Sequence, residues 1–385
     1  MHYTAIVIGG GPAGSAAAYT LARRGISVCL IDKAIFPREK LCGGLLSLRS
    51  KKLFHQIFDA DWEKTYNYTS AGIHFMTPDR YLNGTDSYRD FYLTYRLSFD
   101  DYLLRLAREA GALVKEGDSL FYLSPEKNSL SLRSGETFTF DYLIGADGVN
   151  STVAKTLFGE SFRKDKIAFA LEVETKKELL NRELKQPEIY FNNLKWGYGW
   201  VFPKADSYTI GICGLHTLNP DMKSDMQAFF QSLTGKADPG KVKGHYLPWG
   251  HFKRKPGRKN ILLAGDAAGF VDSLSGEGIA YAMQSGYLAA QAIAESIDSA
   301  SPENALRLYR KKVKGIMHDI RIANRLRPLI YSSLFRPLFV RLLPKSRQLV
   351  QHHIDLLADD LSYGQYAHFI LRKAGQTLLQ KLSGK

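Results

Sequence analysis

The residues whose types and spacing could do chemistry stand at the very start of the chain. Tyr3 to Gly14 reads YTAIVIGGGPAG, an apolar run, Ala5 to Ile8, passing straight into Gly9-x-Gly11-x-x-Gly14. Gly9 suits a tight turn, Gly11 a close backbone approach to a pyrophosphate, and Gly14 the close packing of a helix on the strand. A small-residue helix is expected from Ser15 to Arg24, stopped by Gly25. Its first turn offers unpaired N–H groups and a partial positive charge to a phosphate. A second strand, Ser27 to Ile31, ends at Asp32, about twenty residues on, where a ribose-binding carboxylate belongs. Strand before, helix after and carboxylate beyond together read as a dinucleotide site.

Two later loops have the same position at the end of a strand. Tyr142 to Ala146 feeds Asp147-Gly148, and Ile261 to Ala264 feeds Gly265-Asp266. Gly276-Glu277-Gly278 then leads into a long helix of small residues, Ile279 to Ser296. Ligands of open α/β sheets bind at the carboxyl ends of strands, so the three loops line one crevice. One nucleotide needs one such loop; three suit a cofactor that threads the whole crevice, with adenine and pyrophosphate at the first turn and a second aromatic ring system at the far end. FAD fits that description. The helix after Gly278 would point at the pyrimidine end of the flavin and stabilise its anionic reduced form by roughly 0.3 to 2 kcal/mol.

The elements that must position these loops follow in order. Lys33 to Leu46, with Pro37 and Gly43-Gly44, reads as a loop that lets backbone approach a flat group, followed by a helix from about Ser47. Tyr66 to Tyr95 reads as strands paired in hairpins, with turn signals at Thr77-Pro78-Asp79 and Asn83-Gly84. A helix is expected from Asp100 to Ala110, capped by Ser98 or Asp100 and ended by Gly111. Ser119 to Ser124, Ser129 to Arg133 and Thr137 to Phe140 alternate like a three-stranded meander. From Ile167 to Tyr246 the strands lengthen and become aromatic-rich, with one charged helical insert near Lys176 to Lys185. Within them Tyr198, Trp200 and Phe202 share one sheet face. They read as walls of an apolar slot or as ordinary core, with Pro203 bending the strand and Lys204 leaving it. From Pro302 the chain reads as helical, broken at Pro328, Pro337 and Pro344, with apolar pieces far short of the roughly twenty residues of a spanning helix.

The expected architecture is therefore α/β: a Rossmann-like FAD-binding domain with a parallel sheet and a β-meander, an antiparallel-sheet substrate domain, and a helical C-terminal region. The first takes residues 1–65, 96–165 and 256–300, the second 66–95 and 166–255, and the third, basic, residues 301–385.

The net charge of +14 is concentrated in that last region. Its cations alternate with Leu, Ile, Phe and Val rather than with stacking aromatics, which excludes a nucleic-acid platform and leaves a membrane surface, through 305–349, or a solvated helix face. The three cysteines, Cys29, Cys42 and Cys213, have unrelated spacings, so neither a disulfide framework nor a metal site is indicated. With no signal-peptide pattern at the start, the expected location is the cytoplasm, peripheral to the membrane if the basic region touches it.

Taken together, the motifs resemble the FAD-dependent oxidoreductases of the aromatic-hydroxylase superfamily, and within it the geranylgeranyl reductase family. The carriers are Gly9 to Gly14, Pro37-Arg38-x-Lys40-x-Cys42-Gly43-Gly44, Arg96-x-x-Phe99-Asp100, Gly145-Ala-Asp147-Gly148, Tyr198-x-Trp200-x-Phe202-Pro203-Lys204, and Gly265-Asp266-Ala-Ala-Gly-Phe with Gly276-Glu277-Gly278. The resemblance implies FAD held through Gly11, Gly14, Asp32, Arg96, Asp147 and Asp266, with Gly9, Pro12, Ala13, Lys33, Cys42, Gly43, Gly44, Gly148, Gly265, Gly276, Gly278 and Ile279 completing the contacts. It implies reduction of isolated C=C bonds in prenyl lipids, chlorophyll side chains or quinones. Cys42, beside the isoalloxazine by the same resemblance, would tune the flavin or relay a proton, with Tyr198 and Trp200 as the other catalytic candidates and Phe202 beside them in the substrate pocket. Two departures stand out: Asp32 where a glutamate is usual, and Ala154, followed by Lys155, where an arginine is usual.

No second GxGxxG appears, so NAD(P)H docks transiently at the flavin, or another reductant or an electron-donor protein supplies electrons. His74, His216 and His245 carry no specific signal. Two other functions are weighed: a flavin monooxygenase or halogenase, since Tyr198-x-Trp200-x-Phe202-Pro203 is close to the halogenases' Trp-x-Trp-x-Ile-Pro, and a non-catalytic prenyl-lipid carrier like the Rab escort proteins.

Overall fold

His2–Ile8 is apolar without alternation, and a strand of that kind must be covered on both faces. In the computed structural model, which describes residues 1–191, 193–299 and 304–382 and side chains to 373, it is a central strand of an eight-stranded sheet. Ala5, Ile6 and Val7 are sealed from solvent. It pairs in parallel with Val28–Ile31 on one side and Thr137–Gly145 on the other, and Ile261–Leu263 joins beyond. The carboxyl ends of all four strands therefore open on one edge. The expected meander is present, Leu120–Ser124 and Ser129–Leu132 pairing antiparallel. Its third strand and the strand expected at Tyr142 are one, Thr137–Gly145. Its first half completes the meander and its second half enters the parallel sheet.

The first helix runs from Pro12 to Ala22, three residues earlier than expected, because proline at the first position is already set for the helix. It crosses Ile279–Asp298 at close range, a side chain at Gly286 overlapping the Ala13 carbonyl. That crossing explains the small residues on both helices: Ala16, Ala17, Ala289 and Ala290 have no accessible surface.

A seven-stranded sheet stands over the open edge, in the order Lys243–Leu247, Ala168–Lys176, Ser207–Leu215, Gly197–Pro203, Glu188–Tyr190, Ile73–Thr77, Arg80–Thr85. It is antiparallel except where Glu188–Tyr190 meets Ile73–Thr77. Residues 66–95 thus divide between two sheets. Ile73–Thr77 and Arg80–Thr85 form the hairpin turning at Pro78, while Tyr68–Ser70 and Phe91–Leu93 join Leu45–Leu46 in a three-stranded sheet. Asn83-Gly84 is not a turn. It lies within a strand, where Asn83 Nδ2 donates to the Leu343 carbonyl at 2.7 Å and a side chain at Gly84 would come 2.7 Å from the Ile73 carbonyl.

Two helix expectations also change, and one helix was not expected. The helix expected from Asp100 runs from Arg96 to Glu109; Ser98 donates back to the Tyr95 carbonyl at 3.0 Å instead of capping, and the Asp100 carboxylate is taken by Arg96. The charged insert near 176–185 contains only the 3-10 turn Lys177–Leu179. The helix Met222–Thr234, capped by Asp221 and stopped by Gly235 in the left-handed region, covers the outer face of the seven-stranded sheet through Met226, Phe229 and Phe230.

In the C-terminal region Pro328 lies inside the helix Lys314–Tyr331, Pro337 in the first turn of Arg336–Leu342, and Pro344 in the 3-10 turn Leu343–Lys345. The helical region is thus interrupted at Pro337 and Pro344, each in the first turn of a new element as its missing N–H allows, while Pro328 does not break its helix; Pro302 lies outside the described residues. The apolar residues Ala323, Leu326, Ile330, Val350 and Ile354 pack inward against the inner face of the seven-stranded sheet. Arg321, Arg325, Arg341, Lys345 and Arg347 point to solvent. Leu334, 76% exposed, and Phe335 form an apolar corner among these cations. Among the described residues no helix is long and apolar enough to cross a membrane, and no group of residues could hold a metal.

Candidate active site

One cavity of about 580 Å³ runs from the glycine turn to the C-terminal helices. Its first end is built from backbone. Gly9 has φ +106°, and a side chain there would overlap the Ala146 carbonyl; one at Gly14 would overlap Gly9 itself. Next to Gly11, by contrast, a side chain would meet only Arg38 Nη2 at 3.6 Å. The helix that follows has no side-chain cap and no acidic residue in its first turn, which leaves its N–H groups for an anion. The Asp32 carboxylate is oriented by Gly10 N–H at 2.6 Å and Ala34 N–H at 2.8 Å.

Asp147 behaves differently. It accepts from Ser151 Oγ at 2.5 Å, Thr152 N at 2.6 Å and Val153 N at 3.2 Å, so it caps the helix Thr152–Phe158 while lining the cavity; burial raises its pKa. Gly148 beside it, at φ +77°, faces open space. Ala154 is buried and Lys155 exposed, so neither brings a charge to the cavity.

Arg96 lies in the wall, its Nε and Nη2 each 2.7 Å from the two oxygens of the fully buried Asp100. Arg38 reaches the same carboxylate at 3.1 Å and stands over the Phe36 ring. Its Nη1 is buried without a partner among the described residues. Lys40 also lines the wall, its pKa lowered by burial and pulled back up by Asp266. The motif readings did not single out Arg38 and Lys40 as contacts, yet with Lys33 and Arg96 they make a cationic band beside the free helix start. Farther on, Gly265 N–H is held by Ser285 Oγ at 2.8 Å, Asp266 lines the wall, and a side chain at Gly276 would overlap Tyr198 Oη. Gly278 begins a second helix, Ile279–Asp298, without a side-chain cap. Glu277 is tied to Ser47 Oγ and, at 3.2 Å, to Arg49. Two free helix starts, an oriented carboxylate, a cationic band with an unused guanidinium nitrogen, and glycines bordering open space fit a long dinucleotide such as FAD.

The other end is apolar. Tyr198, Trp200 and Phe202 line it from alternate positions of one strand, with ring centroids 6.0 and 6.2 Å apart, while Val201 packs on the opposite face. Trp200 lies flat across the next strand because residue 211 is glycine. Lys204 leaves the strand, which ends at Pro203, but turns inward rather than to solvent. It is 1% exposed, donating to the Thr94 carbonyl and standing 5.0 Å from the Tyr95 ring centre. Cys42-Gly43-Gly44 lies on this sheet face. Cys42 N–H donates to Glu172 Oε1 at 2.9 Å, Gly44 N–H meets Cys42 Sγ at 3.3 Å, and a side chain at Gly43 would come 2.7 Å from Phe202.

The sequence did not reveal the roof over this slot. Tyr331, Phe339, Leu343, Val350, His353 and Tyr366 close it from the C-terminal helices. Of the three histidines weighed earlier, His245 lines the cavity, while His74 pairs with Asp86 at 2.9 Å and His216 packs on Phe169 and Tyr246.

These buried groups set a dome of stability against pH. Burial lowers His245 to about 3 and His353 to about 4, so both bind more protons unfolded and their contribution is lost as pH falls from about 6.5. Burial raises Asp319 to about 6 and Glu172 to about 7, so theirs is lost as pH rises through those values. Each group contributes a slope of at most about 1.4 kcal/mol per pH unit. His353→Phe is expected to flatten the acid limb of a melting-temperature profile. An unchanged limb rules out the histidine as its cause.

A sequence profile described as the FAD binding domain matches residues 2–192. The chain is 31% identical over 351 residues to the chloroplastic geranylgeranyl diphosphate reductase of Arabidopsis thaliana, covering 85% of this chain and 74% of that protein. It is 29% identical over 317 residues to the menaquinone reductase of Mycolicibacterium smegmatis, covering 74% and 75%. The crystal structure of a geranylgeranyl bacteriochlorophyll reductase-like protein from Thermoplasma acidophilum has the same fold, with a TM-score of 0.79 at 22% identity over 96% of this chain and 99% of that one. The cofactor is FAD, and the chain belongs to the geranylgeranyl reductase family of FAD-dependent oxidoreductases.

Proposed function

We propose that the protein reduces isolated C=C bonds in a prenyl or other apolar lipid-like substrate. The observation that carries this reading is the cavity itself, which continues past the cofactor loops into a slot walled by Tyr198, Trp200 and Phe202 and roofed by C-terminal apolar residues. In this reading the helix start at Gly11 and Pro12, with Arg38 and Lys40, holds the pyrophosphate, Asp32 holds the ribose, and the helix start at Gly278 and Ile279 stabilises negative charge on the reduced ring. Bound and reduced, FAD supplies a hydride to one alkene carbon. The chain supplies the rest. Tyr198 and Trp200 exclude water and align the chain, and Cys42 passes a proton to the other carbon, so that alkene, hydride and proton become alkane. NAD(P)H or another reductant restores the electrons.

The test is anaerobic: the protein is reduced, prenyl lipids are offered, and flavin reoxidation is followed with product mass. The expected product carries two added hydrogens, and Cys42→Ala is expected to slow its formation from pre-reduced enzyme. Oxygen or halogen in the product, or no reoxidation with any prenyl chain, overturns the reading; unchanged turnover in Cys42→Ala removes the proton role alone.

A further inference from the structure

Glu172 lies on the strand Ala168–Lys176 with Ala170 on the same face. Ala170 lines the cavity between Cys213 and His245, and one step along Glu172 stands between Gly211 and Lys243. Gly211 in turn pairs with Trp200. Glu172 is 8% exposed. One of its oxygens accepts the Cys42 N–H from a loop 130 residues away. The other, Oε2, is buried with no partner among the described residues, as are Trp200 Nε1 and His245 Nε2 nearby. Accepting one amide hydrogen does not call for a carboxyl group; a glutamine or a backbone carbonyl would serve. A buried carboxyl with a free oxygen is costly unless its proton is used.

We propose that Glu172 is the positioning residue of the flavin-facing loop, its carboxyl holding the Cys42 amide and its gain or loss of a proton loosening or tightening Cys42-Gly43-Gly44 on the sheet. The inference rests on the reading of that loop as the one that faces the flavin. The groups around the carboxyl bear this out from every side. Burial and Glu174 on its own strand push its pKa up, to about 7, while the Cys42 amide, Lys204 just past the end of the strand Gly197–Pro203, and Lys40 on the loop pull it down. Lys243, opposite in the sheet, is engaged with Glu39 at 2.5 Å. Above neutrality the carboxylate makes a charge-assisted bond to the amide, about twice as strong as a neutral one. Below neutrality the bond weakens, and the loop that fits Gly43 against Phe202 and Gly44 beneath Thr94 is released.

The experiment is hydrogen exchange on the FAD-loaded full chain, read on peptides covering residues 38–46 and corrected for the intrinsic pH dependence of exchange. The wild type is expected to lose about fivefold in protection between about pH 8 and about pH 6, the difference between a charged and a neutral acceptor. Glu172→Gln keeps the acceptor without the proton and is expected to show no such step, while Glu172→Ala loses protection at every pH. A step that persists in Glu172→Gln, or wild-type protection in Glu172→Ala, overturns the proposal; should Glu172→Ala not fold, the glutamine variant decides alone. The measurement needs no substrate. A flat profile in an enzyme that reduces alkenes therefore refutes only the Glu172 role, and a step in one that does not refutes only the reductase reading.

Discussion

Asp100→Ala should leave a protein about 3–5 kcal/mol less stable that purifies without its yellow cofactor. Asp100 has no accessible surface, and its two oxygens compensate two guanidiniums, Arg96 through paired 2.7 Å bonds and Arg38 at 3.1 Å. Burial alone would lower the Arg96 pKa, and Asp100, with a smaller contribution from Cys42, more than reverses it. Without the carboxylate two largely covered cations stay beside one another, and Arg38 already has one nitrogen without a partner among the described residues. Breaking a buried pair from one side is far more harmful than removing both partners. The double variant Arg96→Leu with Asp100→Leu should therefore recover part of the loss. Urea unfolding and the flavin absorbance measure both effects. An Asp100→Ala protein within about 1 kcal/mol of wild type, the range of an exposed ion pair, would mean that the network is not what holds this wall.

The second large effect is on substrate length. Val350 lines the roof with Leu349, His353 and Leu357, across from Phe75 and Phe191 on the sheet. Val350→Trp is expected to take up space that one isoprene unit would fill. At about 0.8 kcal/mol per buried carbon group, losing five carbons costs roughly 4 kcal/mol, close to a thousandfold in kcat/KM for the longest prenyl chains. Chains one unit shorter should be turned over nearly as before, with FAD content unchanged, because the cofactor loops lie at the other end of the cavity. Steady-state kinetics over a series of prenyl lengths tests this. Equal losses at every length would point to overpacking of the roof, a penalty of about 1–3 kcal/mol on folding, and would take the roof out of the substrate site.

Much of the cofactor end was legible in the amino-acid order. Gly9, Gly11 and Gly14 shape the backbone of one strand–turn–helix unit and Asp32 presents its carboxylate at the end of the next strand, and such a unit carries its own signal in residue spacing. The alternation at Tyr198, Trp200 and Phe202 likewise named the face that lines the slot. Where local rules misled, another partner had overridden them, 260 residues away at Asn83 and one helical turn back at Asp100. Asn83-Gly84 has turn chemistry but is held in a strand by Leu343, and Asp100 could cap a helix but is taken by Arg96.

What the amino-acid order settled alone is the kind of cofactor and the strand, turn and helix that open on the cavity, because that geometry is made by neighbours along the chain. Only the tertiary structure decided that the basic C-terminal helices roof the slot, since an apolar helical stripe looks the same whether it meets a core or a cavity. It also decided that Lys204 is buried and that Glu172 carries the Cys42 amide. Pairings across more than a hundred residues follow from how sheets and helices stack, and no local spacing encodes them.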